Sequence, residues 1–349
     1  MEYHEHLEAA GLANARRQKQ YEQLERYIGQ ARGRAEGKRK MFFRPDFSSP
    51  STYALSLQPY RESFADMLGW PLKGYDRTLG IPTADIEYVA SDPLSRIYRL
   101  EVHLDEALSL YGLFFVPHTV EGPCPLVLVQ HGGSGTPELC AGFNGPSNYN
   151  GIIQRILRRG CAVFAPQLHL WTQEQGPENN RNRMDNQLKQ LGSSITAVEI
   201  FKLRRALDYL ETRPEIRADR IGMAGLSYGG FYTLFMAAAD TRIQAALSSC
   251  FLNDRFVYDR VDWTWRNSGN TFLDAEVAGL ICPRPFYIEV GLEDELFLTA
   301  SARPEAAKVK THYERLGIAD RFHYREFQGR HEFDPSDHGV EFLCRFLCE

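Results

Sequence analysis

From about residue 96 onward, hydrophobic and polar positions follow a rhythm that the first third of the chain lacks. Tyr98, Leu100, Val102 and Leu104 alternate with Arg99, Glu101 and His103, the period of two expected of a strand with one buried face. Asp105-Glu106 turns the chain, and Leu110 to Val116 gives a second strand closed by Pro117. The two are expected to pair antiparallel at a sheet edge. Pro125-Leu-Val-Leu-Val-Gln130 is nearly continuous in apolar character, as a strand buried on both faces of a parallel sheet would be. Helix 149–159, strand Cys161 to Pro166, helix 196–212 and strand Arg220 to Ala224 then alternate as β-α-β units do. Thr196 and Glu199 have the spacing of a capping box for the helix they open. An apolar helix over 231–239 follows, then strands Ile243 to Ser249 and Pro285 to Val290, helix 303–316 stopped by Gly317, strand Phe322 to Phe327 and a last helix from about 337. The class predicted is α/β: a mostly parallel central sheet with antiparallel N-terminal edge strands and helices on both faces.

Residues 1–95 read as an N-terminal helical extension, and 96–349 as the main domain. Leu7, Tyr21, Leu24 and Ile28 form a weak helical stripe, expected to break near Gly29, Gly33 and Gly37. The basic cluster Arg32, Arg34, Lys38, Arg39 and Lys40 reads as a solvated face. The sharper reading of this helix is that it docks on another subunit, giving a homo-oligomer. Ser49 to Leu68 is a second amphipathic segment, interrupted or offset at Pro59. The parallel core has two long interruptions, 168–195 and 251–283. Both leave the C-terminal ends of strands, where open α/β sheets place their crevice. The second carries Phe256, Tyr258, Trp263 and Trp265 and is expected as a lid or pocket wall.

Charge narrows the partners. A net charge of −5 argues against nucleic acid, whose phosphates call for a basic face. No apolar run approaches a membrane span, and Met1-Glu-Tyr-His-Glu-His lacks the form of a secretory signal. Seven scattered cysteines without a C-x-x-C suggest reduced, core-filling thiols and a cytoplasmic location. Cys344 and Cys348 share a helical face, read as packing. No H-E-x-x-H or Cys/His cluster appears, so neither a metal nor another cofactor is expected.

The chemistry concentrates in Gly225-Leu-Ser-Tyr-Gly-Gly230, between strand 220–224 and helix 231–239. A strand turning straight into a helix pushes the residue at its tip out over the sheet edge. Side chains two positions to either side would collide, hence Gly225 and Gly229. Ser227 is then placed as a nucleophile at the positive end of the helix. A serine hydroxyl needs an oriented base, and two strand ends supply the parts. Asp294, in Gly291-Leu-Glu-Asp294, is the candidate orienting acid, with Glu293, Glu295 and Asp254 as rivals. His331, in Gly329-Arg-His331, is the candidate base, with His338 as rival. Backbone N–H groups suit an oxyanion: that of Tyr228 comes with the turn, and Gly133 or Ser134 in His131-Gly-Gly-Ser-Gly135 supplies a second. His131 itself reads as structural.

These stretches, in this order, resemble the α/β-hydrolase superfamily. The run from Ala206-Leu-Asp-Tyr-Leu210 to Arg242-Ile-Gln-Ala-Ala246 looks like its dienelactone-hydrolase and acetyl-xylan-esterase-like branch. The resemblance covers roughly 96–349. It implies that fold, the triad roles above and hydrolysis of small, acetyl or carbohydrate-linked esters through an acyl-enzyme. Dienelactone hydrolases carry cysteine at the tip, where this chain has Ser227. Two alternatives are weighed beside it. A prolyl-oligopeptidase-type peptidase would carry a β-propeller upstream, and 1–95 lacks the strands for one. A non-catalytic ligand-binding relative would not need the serine, acid, histidine and glycine loop together.

Overall fold

The computed structural model describes residues 5–75, 79–170 and 180–349. Three helices lead: α1 (Asn14–Phe42), α2 (Pro50–Ser56) and α3 (Gln58–Leu68). Four strands follow: β1 (Thr83–Ser91), β2 (Ser95–His103), β3 (Ser109–Pro117) and β4 (Cys124–Gln130). Next come α4 (Pro137–Ala141), α5 (Ile152–Leu157), β5 (Ala162–Pro166), α6 (Arg181–Gln190), α7 (Ile195–Leu210) and β6 (Ile216–Leu226). The remainder is α8 (Tyr228–Ala239), β7 (Ile243–Ser249), α9 (Ser268–Thr271), α10 (Asp274–Ile281), β8 (Phe286–Gly291), α11 (Thr299–Arg315), β9 (Phe322–Phe327) and α12 (His338–Cys348).

The nine strands form one sheet in the order β1-β2-β3-β5-β4-β6-β7-β8-β9. β1, β2 and β3 pair antiparallel, β3 meets β5 antiparallel, and every later neighbour is parallel. All positions of β4 and β8 are buried, which is why their sequences lack alternation. Helices cover both faces. On one, α5 and α12 pack with Ile153, Ile156, Leu343 and Leu347. On the other, α7, α8, α10 and α11 share a core with α2 and α3.

The sheet begins before residue 96, because β1 is its edge strand. Most of β1 is exposed, so its sequence carries no clear period; Tyr88 lies opposite Tyr98 with ring centroids 5.8 Å apart. The segment after α1 is part of the same core. Tyr53, Leu57, Phe64 and Leu68 are buried, and Phe64 packs 5.4 Å from Phe235 of α8. At about 2 kcal/mol for each such side chain, α2 and α3 are integral to the fold. Pro59 separates them as its position suggested, each helix having a proline in its first turn.

Three local expectations need correction. α1 runs straight through Gly29, Gly33 and Gly37 to Phe42. Glycine weakens a helix by about 1 kcal/mol without blocking it, and the last turns are anchored by buried Ala35 and Arg39. Arg39 is therefore no solvated charge: it bonds Glu276 and the Gly269 carbonyl at 3.3 and 2.5 Å. Ser194, not Thr196, caps α7, accepting from the Ala197 N–H at 3.1 Å.

Candidate active site

The turn between β6 and α8 has the strained form its glycines suggested. Ser227 sits at φ 61°, ψ −119°, a conformation costing an L-residue about 1–3 kcal/mol. A Cβ on Gly225 would lie 2.2 Å from the Gly229 carbonyl oxygen, and one on Gly229 would lie 2.1 Å from that of Gln130. The Ser227 N–H is held by the Ser249 carbonyl at 2.9 Å, tying the tip to β7. The hydroxyl makes no hydrogen bond among the described residues, and Ser227 is 9% exposed.

Two loops at the same end of the sheet bring an acid to a base. The Leu292 and Glu293 N–H groups bond the Phe327 and Gly329 carbonyls, each at 2.9 Å, so the loop after β8 zips onto the loop after β9. Gly291 permits this closeness, since a Cβ there would stand 2.2 Å from the Arg330 carbonyl oxygen. Asp294 then accepts from His331 Nδ1 at 2.9 Å through one oxygen, and from the Leu296 and Phe297 N–H groups at 2.8 and 2.9 Å through the other. Burial pushes the Asp294 carboxyl up, but the His331 hydrogen bond and these amides outweigh it and hold it below its usual value. With Nδ1–H given to Asp294, His331 Nε2 is left to accept a proton. Phe297 stacks on the imidazole, centroids 5.7 Å apart.

This end is joined to the serine through β7. Ser249, whose carbonyl holds the Ser227 N–H, donates its hydroxyl to the Glu332 carbonyl at 3.2 Å. The loop 131–135 closes the other side. A Cβ on Gly132 would come 3.2 Å from Ser227 Cβ, and one on Gly133 would come 3.3 Å from the Tyr228 ring. The Gly132 N–H donates to the Tyr149 hydroxyl at 2.8 Å, and the Ser134 N–H to the Leu170 carbonyl at 2.7 Å. The Gly133 N–H bonds no described residue, and that of Tyr228 is one of those a helix start leaves unsatisfied. The Ser134 amide, expected as a possible oxyanion donor, is thus committed to Leu170, whereas those of Gly133 and Tyr228 stay open among the described residues.

Residues 112–252 match the Dienelactone hydrolase family. The chain has the α/β-hydrolase fold. YtaP of Bacillus subtilis (strain 168), which carries a hydrolase name, is 28% identical over 256 residues, 67% of this chain and 82% of YtaP. Among solved structures, a Bacteroides fragilis NCTC 9343 protein assigned as an acetyl xylan esterase is similar with TM-score 0.65 at 16% identity, over 91% of this chain and 89% of that one. A glucuronoyl esterase from Solibacter usitatus reaches 0.62 at 15% identity, over 86% and 93%. At such identities the likeness is one of fold. No described helix is long and apolar enough to cross a membrane.

The rival residues are engaged elsewhere. Glu293 accepts from the Gln328 side chain, and Glu295 pairs with Arg330. Asp254 accepts from the Phe256 N–H, and His338 opens α12 beside Tyr287 and His323. His131 is structural: Nδ1 donates to the Gly132 carbonyl at 2.8 Å, and Nε2 accepts from the Leu168 N–H at 3.1 Å. Cys250 lies beneath the pair, its Sγ within 4.8 Å of ligand atoms of Asp294 and His331. Burial pushes that thiol up and it donates to the Glu332 carbonyl, so it is a poor metal ligand.

A buried polar cluster behind Tyr228 was not visible in the sequence. Asp262 accepts from the Tyr228 hydroxyl at 3.0 Å and from Arg181 at 2.7 Å; Arg181 also holds Glu199 at 2.9 Å, and Tyr232 donates to Glu199. It fastens both interruptions to the elbow helix. In the first, residues 171–179 lie outside the described residues. In the second, expected as a lid or pocket wall, Trp263 and Trp265 are buried against Phe231. An acid inside an apolar helix stripe, as Glu199 is, was the one available signal.

Proposed function

We propose that this protein is a serine esterase that cleaves carboxylic esters through an acyl-enzyme. The observation that carries this reading is the strained Ser227 at the same sheet end as a histidine whose Nδ1 is held by a carboxylate. Ser227 Oγ attacks the ester carbonyl while His331 Nε2 takes its proton. Asp294 keeps the imidazole in the accepting tautomer and steadies the cation that forms. The Tyr228 and Gly133 N–H groups receive the negative oxygen of the tetrahedral intermediate. His331 returns the proton to the leaving alcohol, and water, activated in the same way, releases the acid. The Ser227–His331 hydrogen bond is completed in the substrate complex, where such contacts commonly tighten.

The substrates proposed are short-chain esters, acetyl esters first, including those on carbohydrates. The structural neighbours named as acetyl xylan and glucuronoyl esterases support this direction. The test is labelling by a fluorophosphonate, expected for the native chain and lost in Ser227→Ala, followed by p-nitrophenyl acyl esters and acetylated sugars. No labelling would end the serine reading; decanoate turned over faster than acetate would end the short-chain one.

A further inference from the structure

Away from this site, three thiols meet at the opposite end of the sheet. Cys161 immediately precedes β5, so it lies at the N-terminal ends of the parallel strands, opposite Ser227. Its Sγ is 3.7 Å from that of Cys348 and 3.9 Å from that of Cys344, both on α12. Cys161 and Cys344 are buried, whereas Cys348 is exposed. The expected reading, thiols serving only as packing, does not account for a thiol that reaches water while touching a buried partner.

We propose that Cys348 and Cys161 form an oxidation site for hydroperoxides, with Cys348 as the attacking thiol and Cys161 as the resolving one. Exposure gives a peroxide access to Cys348 alone of the three. The Cys161 and Cys348 sulfurs share a hydrogen bond and Arg217 and Arg220 lie near it, which together hold the Cys348 thiol down at about 7 despite partial burial. Cys161 is shifted the opposite way: its hydrogen bonds to Cys344 and Cys348, with burial, push its thiol up, so it stays protonated until needed.

The chemistry balances in two steps. The Cys348 thiolate attacks the terminal peroxide oxygen; the O–O bond breaks, an S–O bond forms, and the alcohol or water leaves with a proton from solvent. The Cys348 sulfenic acid is then attacked by Cys161 sulfur: the S–S bond forms, the S–O bond breaks, and the Cys161 proton leaves with the hydroxyl as water. The peroxide is reduced by two electrons, and two thiols become one disulfide. The sulfurs need only close from 3.7 Å to about 2.05 Å. The link joins the start of β5 to the end of α12. It makes no use of Ser227 and stands apart from the esterase reading.

The experiment uses the full chain, reduced and then treated with hydrogen peroxide, with thiols counted after denaturation and peptides mapped by mass. Two of the seven thiols should be lost and regained on adding dithiothreitol, with Cys161 and Cys348 peptides joined. Cys344→Ser should still form the link. Cys348→Ser should not, and Cys161→Ser should stop at a Cys348 sulfenic acid trapped by dimedone. A Cys161–Cys344 link, a chain-to-chain disulfide through Cys348, or seven thiols surviving would each overturn the proposal.

Discussion

Two histidines stand in loops at the same end of one sheet, and their surroundings give them opposite capacities. His131 follows β4 and is wholly buried, with both ring nitrogens committed. Burial holds its pKa down at about 4, so it stays neutral and fixed. His331 follows β9, is partly exposed, and among the described residues commits only Nδ1, to Asp294. Residue type and strand-end position therefore do not make a base. What matters is a nitrogen left without a partner and a carboxylate behind the other.

Substituting each histidine tests this most severely. His331→Gln should lower kcat by about 10⁴-fold or more on p-nitrophenyl acetate, since base and acid are lost together. His131→Asn should leave kcat within about tenfold while costing about 1–3 kcal/mol in denaturant unfolding, the range for a buried hydrogen bond left unmade. Comparable kcat losses from the two substitutions would erase the distinction drawn between the loops.

The carboxylates give the next contrast. Asp294→Asn keeps the shape but can hold the wrong tautomer, so kcat should fall by about 10³–10⁴-fold. Glu295→Gln, one residue on, removes only an exposed pair with Arg330 and should leave kcat unchanged. Steady-state kinetics above pH 7 on both variants decides it. A larger loss from Glu295→Gln would move the acid to that position.

Why the sequence revealed some of this and not the rest follows from the range of each interaction. The elbow was legible because its constraint is local: Gly225 and Gly229 are demanded by backbone atoms within a few residues or on the adjoining strand. The meeting of Asp294 and His331 was legible because each follows a strand whose apolar run is unmistakable. Which of the Gly133 and Ser134 amides is left open was not, since it turns on Leu170 accepting from one of them. Nor was the cluster of Arg181, Glu199 and Asp262, whose members are far apart in the chain and meet only on folding. β1 was missed for the converse reason: an exposed edge strand needs no hydrophobic period.

The smallest effect expected separates the two loops by the sign of their pH dependence. The His331 loop rests on Glu289 of β8, whose carboxylate accepts from the Asp334 N–H at 2.9 Å. Burial pushes Glu289 up to about 7 from 4.5; the neighbouring Asp334 adds to this, while Ser249, the Asp334 amide and Arg155 oppose it. The folded state therefore holds this proton more tightly than the unfolded one. The stability it contributes is complete below about 4.5 and is lost as pH rises through about 7. His131 has the reverse sign: its pKa falls from 6.5 to about 4, through burial opposed by Glu199 and Glu138. Its contribution is complete above 6.5 and is lost as pH falls through about 4. Each change is on the order of 3 kcal/mol across its window. Glu289→Gln should thus gain on the native chain as pH rises from 4.5 to 8, and His131→Asn should lose ground over the same interval, in urea unfolding at matched ionic strength. If both differences ran in the same direction with pH, the two loops would not be held in the contrasting ways their burial and hydrogen bonds describe.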